Sequence, residues 1–337
     1  MILVLNCGSQ SVKWKIFNEK LELIKENKLE FFDMSDFERV LTDELLKIKE
    51  DISLIGHRVV HGGEKFRKPT EITDENLDEL EKISHLAPLH NPYNILGIKI
   101  CKNIFKKAKQ IAVFDTEFFV DLPEYASTYA LPESVLKEFK IRRYGFQGIS
   151  HEYVSQKAAE KIGKPIGELK IITCHLGGGA SISAIKNGKA IDTSMGFTPL
   201  EGLVMMTRPG NIDAGIILYL IEKFSIKEVR DILNKESGIK GVCGESDMLK
   251  LLKRIEAENK KAELAFDIFV YSIKKYIGAY FAILGGCDVL VFTGSVGSGN
   301  PKTREAVCKD LNILSNTEIL AIETDEELAI AQKIRTF

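Results

Sequence analysis

Three glycine-bearing turns carry the groups best suited to hold an anion. The first runs Asn6-Cys7-Gly8-Ser9-Gln10-Ser11-Val12-Lys13. Gly8 permits a tight turn whose backbone N–H groups can converge on phosphate oxygens. Ser9 and Ser11 add hydroxyl donors, Lys13 adds charge, and Asn6 offers a neutral oxygen that suits a hydrated Mg2+. A polar β-hairpin with no ligand would also account for this stretch. The second turn, His175-Leu176-Gly177-Gly178-Gly179-Ala180-Ser181, sets three glycines in succession after an apolar strand. Each costs roughly 0.5–1 kcal/mol relative to alanine in an extended segment, and close approach of the backbone to a bulky anion would account for them. The third, Thr293-Gly294-Ser295-Val296-Gly297-Ser298-Gly299, follows a strand and precedes a helix. That arrangement offers N–H groups to phosphate, here around Ser295 and Gly297.

Charged residues at strand ends complete the set. His57-Arg58-Val59-Val60-His61-Gly62-Gly63-Glu64 places Arg58 near a strand end beside glycines. Asp115 ends the apolar strand Ala112-Val113-Phe114, and Met206-Thr207-Arg208-Pro209-Gly210 holds a second arginine in a turn. Strand ends are where ligand-handling groups gather in α/β proteins. A guanidinium grips carboxylate or phosphoryl oxygens as a rigid fork, so two arginines and one acid fit phosphoryl transfer. Of the histidines (His57, His61, His85, His90, His151 and His175), only His57 and His61 are spaced i, i+4, and their flanks read as strand. Structural or phosphate-contacting roles are expected of them rather than zinc binding.

The elements that must position these groups alternate between strand and helix. Apolar, β-branched runs predict strands at Ile2 to Cys7, Val12 to Phe17, Leu54 to Val60, Gln110 to Phe114, Leu169 to Cys174, Ala180 to Ile185 and Asp288 to Phe292. Helical spacing covers Asn76 to His85, a segment starting near Pro301, and Glu326 to Ile334. Ala262 to Leu284 reads as a long helix, apolar nearly all round and therefore expected to be buried. The order argues for α/β layers. Glycine-tipped strand–turn–strand units recur half a chain apart, at Cys7–Ser11 and Gly177–Ser181, as two related halves facing a cleft would give.

Composition narrows the partners. The 337 residues are 45% hydrophobic and 28% charged, with 46 basic and 48 acidic side chains for a formal charge of -2. No basic field is available to hold nucleic acid or an anionic membrane. The opening MILVLNC lacks the flank and cleavage site of a signal peptide and is too short to span a bilayer. Six cysteines without a C-x-x-C pair suit reduced thiols, so a cytoplasmic location is expected.

Several longer blocks resemble the acetate kinase family. They are Asn6-Cys7-Gly8-Ser9-x-Ser11-x-Lys13, the run from His57 to Phe66 (HRVVHGGEKF), and Leu86-Ala87-Pro88-Leu89-His90-Asn91-Pro92. Val113-Phe114-Asp115-Thr116, the run from Thr193 to Gly202 (TSMGFTPLEG) and Glu326-Glu327-Leu328-Ala329-Ile330-Ala331 follow in order, so the resemblance spans nearly the whole chain. It implies two similar actin-like (ribonuclease H-like) domains around a central cleft: residues 1–117 with 325–337, and 118–324, the second carrying a homodimer interface. It also implies Mg2+-dependent, reversible phosphoryl transfer between ATP and acetate, giving acetyl phosphate and ADP. By matched position, Asn6 and Glu326 would hold the metal. Ser9, Ser11, Lys13, His175, Gly177, Gly178, Gly179, Asp247, Ser295 and Gly297 would meet the nucleotide. Arg58 would bind the carboxyl or phosphoryl end of the substrate, Asp115 would act as acid/base or orienting carboxylate, and Arg208 would stabilise the transferring phosphoryl. Val60, Leu89, Phe146 and Pro199, with His90, would form a small acyl pocket favouring acetate over propionate.

The chain departs from the family pattern at four places. Gln147 replaces the histidine expected at the phosphoryl group, Gly178 replaces an asparagine, Leu249 replaces an arginine, and the last glycine turn reads Ser295-Val296-Gly297-Ser298-Gly299. Three of the four fall on the nucleotide side, which keeps open a donor other than ATP, such as pyrophosphate. A propionate or butyrate kinase would share much of the same pattern, as would a non-catalytic protein that binds acyl phosphate. The chain is also shorter than the family pattern between Lys13 and His57 and between Asn300 and Glu326.

Overall fold

The computed structural model describes residues 1–8 and 11–337. It divides into two compact units: Met1–Val120 with Phe146–Tyr153 and Asp325–Phe337, and Asp121–Gly145 with Val154–Thr324. The first unit thus runs three residues past the expected boundary at 117 and takes in the segment Phe146–Tyr153.

The first unit is built on a sheet ordered β3-β2-β1-β4-β6-β5, with β1 Ile2–Cys7, β2 Ser11–Phe17, β3 Leu23–Glu30, β4 Leu54–Val59, β5 Thr70–Glu71 and β6 Lys109–Phe114. β1 pairs antiparallel with β2 and parallel with β4, which lies parallel to β6. Alternation along β1 serves two cores. Leu3, Leu5 and Cys7 pack with Phe37, Leu41, Leu45, Ile100 and Cys101 from helices Met34–Leu45 and Asn91–Ile104. Ile2 and Val4 pack with Ile149 and with Ala329, Ile330 and Ile334 of helix Glu326–Ile334. A sheet strand buried on both faces reads as a continuous apolar run, as β1 does. Gly56 of β4 lets that last helix approach, because a Cβ there would stand 2.5 Å from Ile330 Cγ2. The edge strand β3 is mostly exposed and carries Lys25, Glu26, Lys28 and Glu30, charges that oppose edge-to-edge pairing.

The second unit repeats the plan. Its sheet runs β11-β10-β7-β8-β9, from β7 Lys170–Leu176, β8 Ala180–Lys186, β9 Lys189–Thr193, β10 Val289–Thr293 and β11 Glu318–Ala321. Here too a central strand pairs antiparallel with the next in sequence and parallel with the third after it: β7 with β8 and β10, as β1 does with β2 and β4. The two expected glycine-tipped hairpins are therefore β1–β2 and β7–β8.

The long helix spans Lys260–Leu284, is capped by the Asn259 side chain, and ends at Gly285 in left-handed conformation. It is not buried all round. Ala262, Ala265, Phe269, Ile273, Ile277, Tyr280 and Leu284 form its inner face, while Leu264, Ile268, Tyr271 and Ile283 are exposed. Composition alone did not distinguish a helix enclosed by its own chain from one that leaves an apolar stripe outward. The helix expected at Asn76 to His85 is Asp74–Lys82, capped by Thr73 and followed by a short turn at Ser84–Leu86.

Candidate active site

In the first unit, parallel pairing puts the C-terminal ends of β1, β4 and β6 on one edge of the sheet. Asn6, Arg58 and Asp115 meet there. Arg58 donates through Nε to Asp115 Oδ1 at 3.1 Å and through Nη2 to Oδ2 at 2.6 Å, a two-pronged ion pair. Its Nη1 donates to Asn6 Oδ1 at 2.9 Å. Asn6 Nδ2 in turn donates to Glu326 Oε2 at 3.1 Å and to Glu327 Oε1 at 2.8 Å. Both glutamates stand in the first turn of helix Glu326–Ile334, where the helix dipole favours negative charge. Lys15 reaches the N-cap residue Asp325 at 2.8 Å, so the acidic run is anchored from β2 as well.

Asp115 is 1% exposed. Burial pushes its carboxyl up from the ordinary range, and Arg58 works against that shift. Burial also opposes the Arg58 cation, but Asp115, Glu326 and Glu327 more than offset it and hold the guanidinium protonated. The Gln147 backbone N–H supplies a further hydrogen bond to the Asp115 carboxylate. Gly148 N–H donates to the Asp115 carbonyl at 2.9 Å, and a Cβ at Gly148 would overlap that oxygen. Gln147 itself adopts a left-handed φ of 59°.

The loop after β4 is held by buried amides. The Val60 N–H donates to Asn94 Oδ1 at 3.0 Å, and Asn94 Nδ2 donates to the Cys7 carbonyl at 2.7 Å. Asn91 accepts from His61 N–H at 3.1 Å and donates to the His61 carbonyl at 3.0 Å. Thr116 Oγ1 accepts from Gly62 N–H at 3.2 Å. Val60 and Phe146 are buried, with Phe146 edge-to-face against His61 at 5.4 Å. Leu89 is exposed and His90 half-buried just ahead of helix Asn91–Ile104. His57 stays neutral: its Nε2 lies 2.7 Å from Gln110 Oε1, and burial lowers its pKa to about 4.

Lys13 is exposed and stands opposite Asn6 in the hairpin register, and Ser11 is half-buried. Ser9 lies outside the described residues. Among the described residues no group of three His, Cys, Asp or Glu side chains forms a metal cage. The donor set still fits Mg2+ in its usual manner, in which one or two carboxylates assist a shell of water and phosphate oxygens. Glu326 supplies such a carboxylate, with the Asn6 amide against it.

In the second unit, His175 is the penultimate residue of β7 and lies opposite Ser181. The tip between β7 and β8 closes with Gly177 N–H on the Gly179 carbonyl at 3.0 Å. A Cβ at Gly178 would meet nothing within 4 Å, and one at Gly177 only ordinary contacts. The fold thus does not require glycine at either position, which leaves room for a ligand as their reason. After β10, Gly294 has a φ of 79° that only glycine adopts freely. Ser295 is exposed in the helical turn Gly294–Gly297, whose carbonyl end at Gly297 and Ser298 accepts from Arg304 Nη1. Asp247 caps helix Met248–Glu256 through Lys250 N–H at 2.8 Å, and Leu249 points outward.

Arg208 is the most informative cation of this unit. Its Nη1 donates to the Pro199 carbonyl at 3.3 Å and lies 3.7 Å from Met205 Sδ. Burial lowers its pKa, with no carboxylate opposing the shift among the described residues. A guanidinium desolvated without an anion is costly unless an anionic ligand completes it.

Reading the sequence singled out Asn6, Arg58, Asp115, Glu326 and Gln147, and the structure brings them into one network on the first unit. It gave no role to Lys15, Asn91 or Asn94. Asn91 stands in the Leu86–Pro92 block, and the i, i+3 spacing of Asn91 and Asn94 at a helix start puts two amides on one face.

The strand order of both sheets defines an actin-like protein of two domains, with arginines and acids suited to phosphoryl transfer. The Acetokinase family model matches residues 34–334. Acetate kinase from Dictyoglomus thermophilum is 44% identical over 389 residues, covering 98% of each chain. The crystal structure of Porphyromonas gingivalis acetate kinase superposes with a TM-score of 0.90 at 38% identity, covering 99% of this chain and 98% of that one. A propionate kinase from Francisella tularensis gives a TM-score of 0.90 at 37% identity, with 98% of each chain covered. This chain belongs to the acetokinase family, phosphotransferases with a carboxyl group as acceptor.

Proposed function

We propose that the chain catalyses reversible phosphoryl transfer from ATP to acetate, forming acetyl phosphate and ADP with Mg2+. The observation that carries the reading is Arg208, a half-buried cation that no carboxylate of the described chain neutralises. The acetate carboxylate is already ionised near neutral pH, so its oxygen attacks the γ-phosphorus without loss of a proton. The new P–O bond forms as the bond to the β,γ-bridging oxygen breaks, and ADP leaves. No general base is needed, and the Asp115 oxygens are already engaged by Arg58 and the Gln147 N–H. Asp115 therefore acts as the orienting carboxylate, aiming Arg58 at the acceptor. Arg208 binds the transferring phosphoryl, with Gln147 as a neutral hydrogen-bond donor. Val60, Leu89, His90, Phe146 and Pro199 accommodate the methyl end of acetate. Lys13, Ser9, Ser11, His175, Gly177, Gly178, Gly179, Asp247, Ser295 and Gly297 serve the nucleotide. Asn6 and Glu326 would hold Mg2+, which when bound offsets phosphate charge.

Two surfaces support pairing with a second copy. Helix Ala214–Ile221 exposes Ile216, Leu218, Tyr219 and Ile221, and the long helix exposes Leu264, Ile268 and Tyr271. A homodimer would cover them. Among the described residues no helix is long and apolar enough to cross a membrane, and we assign the protein to the cytoplasm.

The test is hydroxamate trapping of acetyl phosphate with acetate, Mg2+ and, in turn, ATP, GTP and pyrophosphate. Product with ATP, lost in Arg208→Ala, is expected. The exposed Leu249 and the open space at Gly178 favour a second reading, the same reaction with another donor. Product with pyrophosphate but not ATP would select it, and product with neither would sink both.

A further inference from the structure

Residues 194–213 contain no helix or strand, yet they carry Pro199 and Arg208. Scattered backbone bonds, such as Asn211 N–H to the Gly202 carbonyl at 2.9 Å and Met205 N–H to the Arg208 carbonyl at 3.0 Å, leave much of their conformation to side-chain contacts. Glu201, two residues after Pro199, accepts from Arg143 Nη2 through Oε1 at 2.6 Å and from the Tyr129 hydroxyl through Oε2. Arg143 also donates to the Thr193 and Ser194 carbonyls at 3.1 and 3.4 Å and to the Ala126 carbonyl at 3.3 Å. The Tyr129 oxygen accepts from Phe197 N–H at 2.8 Å. The Gly196 carbonyl accepts from Tyr144 and Gly145 N–H groups at 3.1 and 3.3 Å. A Cβ at Gly196 would overlap both the Glu201 carboxylate and the Tyr129 hydroxyl, so the loop wraps directly around this pair. The Arg143 and Glu201 side chains are 17% and 29% exposed, shielded enough for the ion pair to be more than a surface contact.

We propose that Arg143, Glu201 and Tyr129 are positioning residues for phosphoryl transfer: a strut that fixes the loop whose Pro199 carbonyl holds the Arg208 guanidinium. The inference rests on the kinase reading above. None of the three side chains bonds to the glycine turns at 177–179 and 293–299, and the loop meets the first of them only through the long Met206 N–H contact to the Gly178 carbonyl at 3.4 Å. Loss of the strut is therefore expected to slow the transfer step far more than it weakens nucleotide binding.

The experiment compares wild type with Glu201→Gln and Tyr129→Phe, measuring kcat per folded protein, KM for acetate and for ATP, and thermal melting. Glu201→Gln keeps the shape and removes the charge facing Arg143, while Tyr129→Phe removes one hydroxyl and both of its hydrogen bonds. The expected result is a fall in kcat of tenfold or more with KM for ATP within twofold of wild type. A purely structural strut would lower the melting temperature and leave kcat per folded protein unchanged, and that result overturns the proposal. Should Glu201→Gln fail to fold, Tyr129→Phe decides by the same criterion. An inert wild type overturns the kinase reading itself, whereas an active wild type with unaltered variants overturns only the strut.

Discussion

Asp115→Asn isolates the charge at the centre of the first unit. The two side chains have nearly the same volume, so the Gly148 packing is preserved while the anion disappears. Arg58, 19% exposed in its side chain, would then face a neutral amide across contacts of 3.1 and 2.6 Å. Leaving one member of a buried pair uncompensated costs about 3–5 kcal/mol. Glu326, 3.7 Å from Arg58 Nη1, offers a second anion and places the cost near the lower end. The chain has 337 residues. At about 2.1 cal/mol/K of unfolding entropy per residue, 1 kcal/mol moves the melting temperature by roughly 1.4 °C, so a loss of ~3 kcal/mol predicts a fall of about 4 °C. Differential scanning calorimetry measures it. Replacing both partners, Arg58→Leu with Asp115→Leu, removes the charges together and is expected to melt above Asp115→Asn, while both variants lose hydroxamate formation. If Asp115→Asn melts within about 2 °C of wild type, below the smallest shift this cost allows, the buried pair does not organise the strand ends around it.

Other outcomes follow from single positions. Gln147→His restores a side chain that can become cationic, at a left-handed φ that histidine tolerates, and a charge-assisted hydrogen bond predicts a rise in kcat of about tenfold below pH ~6.5. Gly178→Asn enters open space, so calorimetry is expected to show a stability change under about 0.5 kcal/mol, with any effect confined to KM for ATP. His57 and His61 are both held neutral by burial, with pKa values lowered to about 4. Between the unfolded value near 6.5 and the folded value the unfolded chain binds more protons, so stability is present above that window and is lost as pH falls through it. Each histidine contributes up to roughly 1.4 kcal/mol per pH unit there, and His57→Gln is expected to remove its share of the slope in pH-dependent melting.

The strands of both sheets were legible because burial on two faces leaves unbroken apolar runs such as Ile2 to Cys7. The groups at their ends were legible because turns and strand ends concentrate chemistry. What the sequence hid was support. Asn94 and Lys15 act across 87 and 310 residues of chain, on Cys7 and Asp325, and neither sits in a glycine-rich or charged cluster that would mark it. Glu201 stands in the TSMGFTPLEG run, but nothing local revealed that Arg143, 58 residues earlier, completes it. The outward stripe of the long helix was hidden for another reason: burial by the chain and burial by a second molecule demand the same residues.

The helix Glu326–Ile334 closes one face of the first sheet, packing Ile330 and Ile334 against Ile2 and Val4. All six strands of that sheet precede Val120, and the helix is made only after the second unit has emerged. At the usual pace of synthesis the intervening stretch takes roughly 10–40 s, during which one face of the nascent sheet stays without its cover. The first part of the chain to be translated is therefore among the last to mature. The first sheet is completed only by the last helix to be made, and the waiting face is where a chaperone would have its longest opportunity to act.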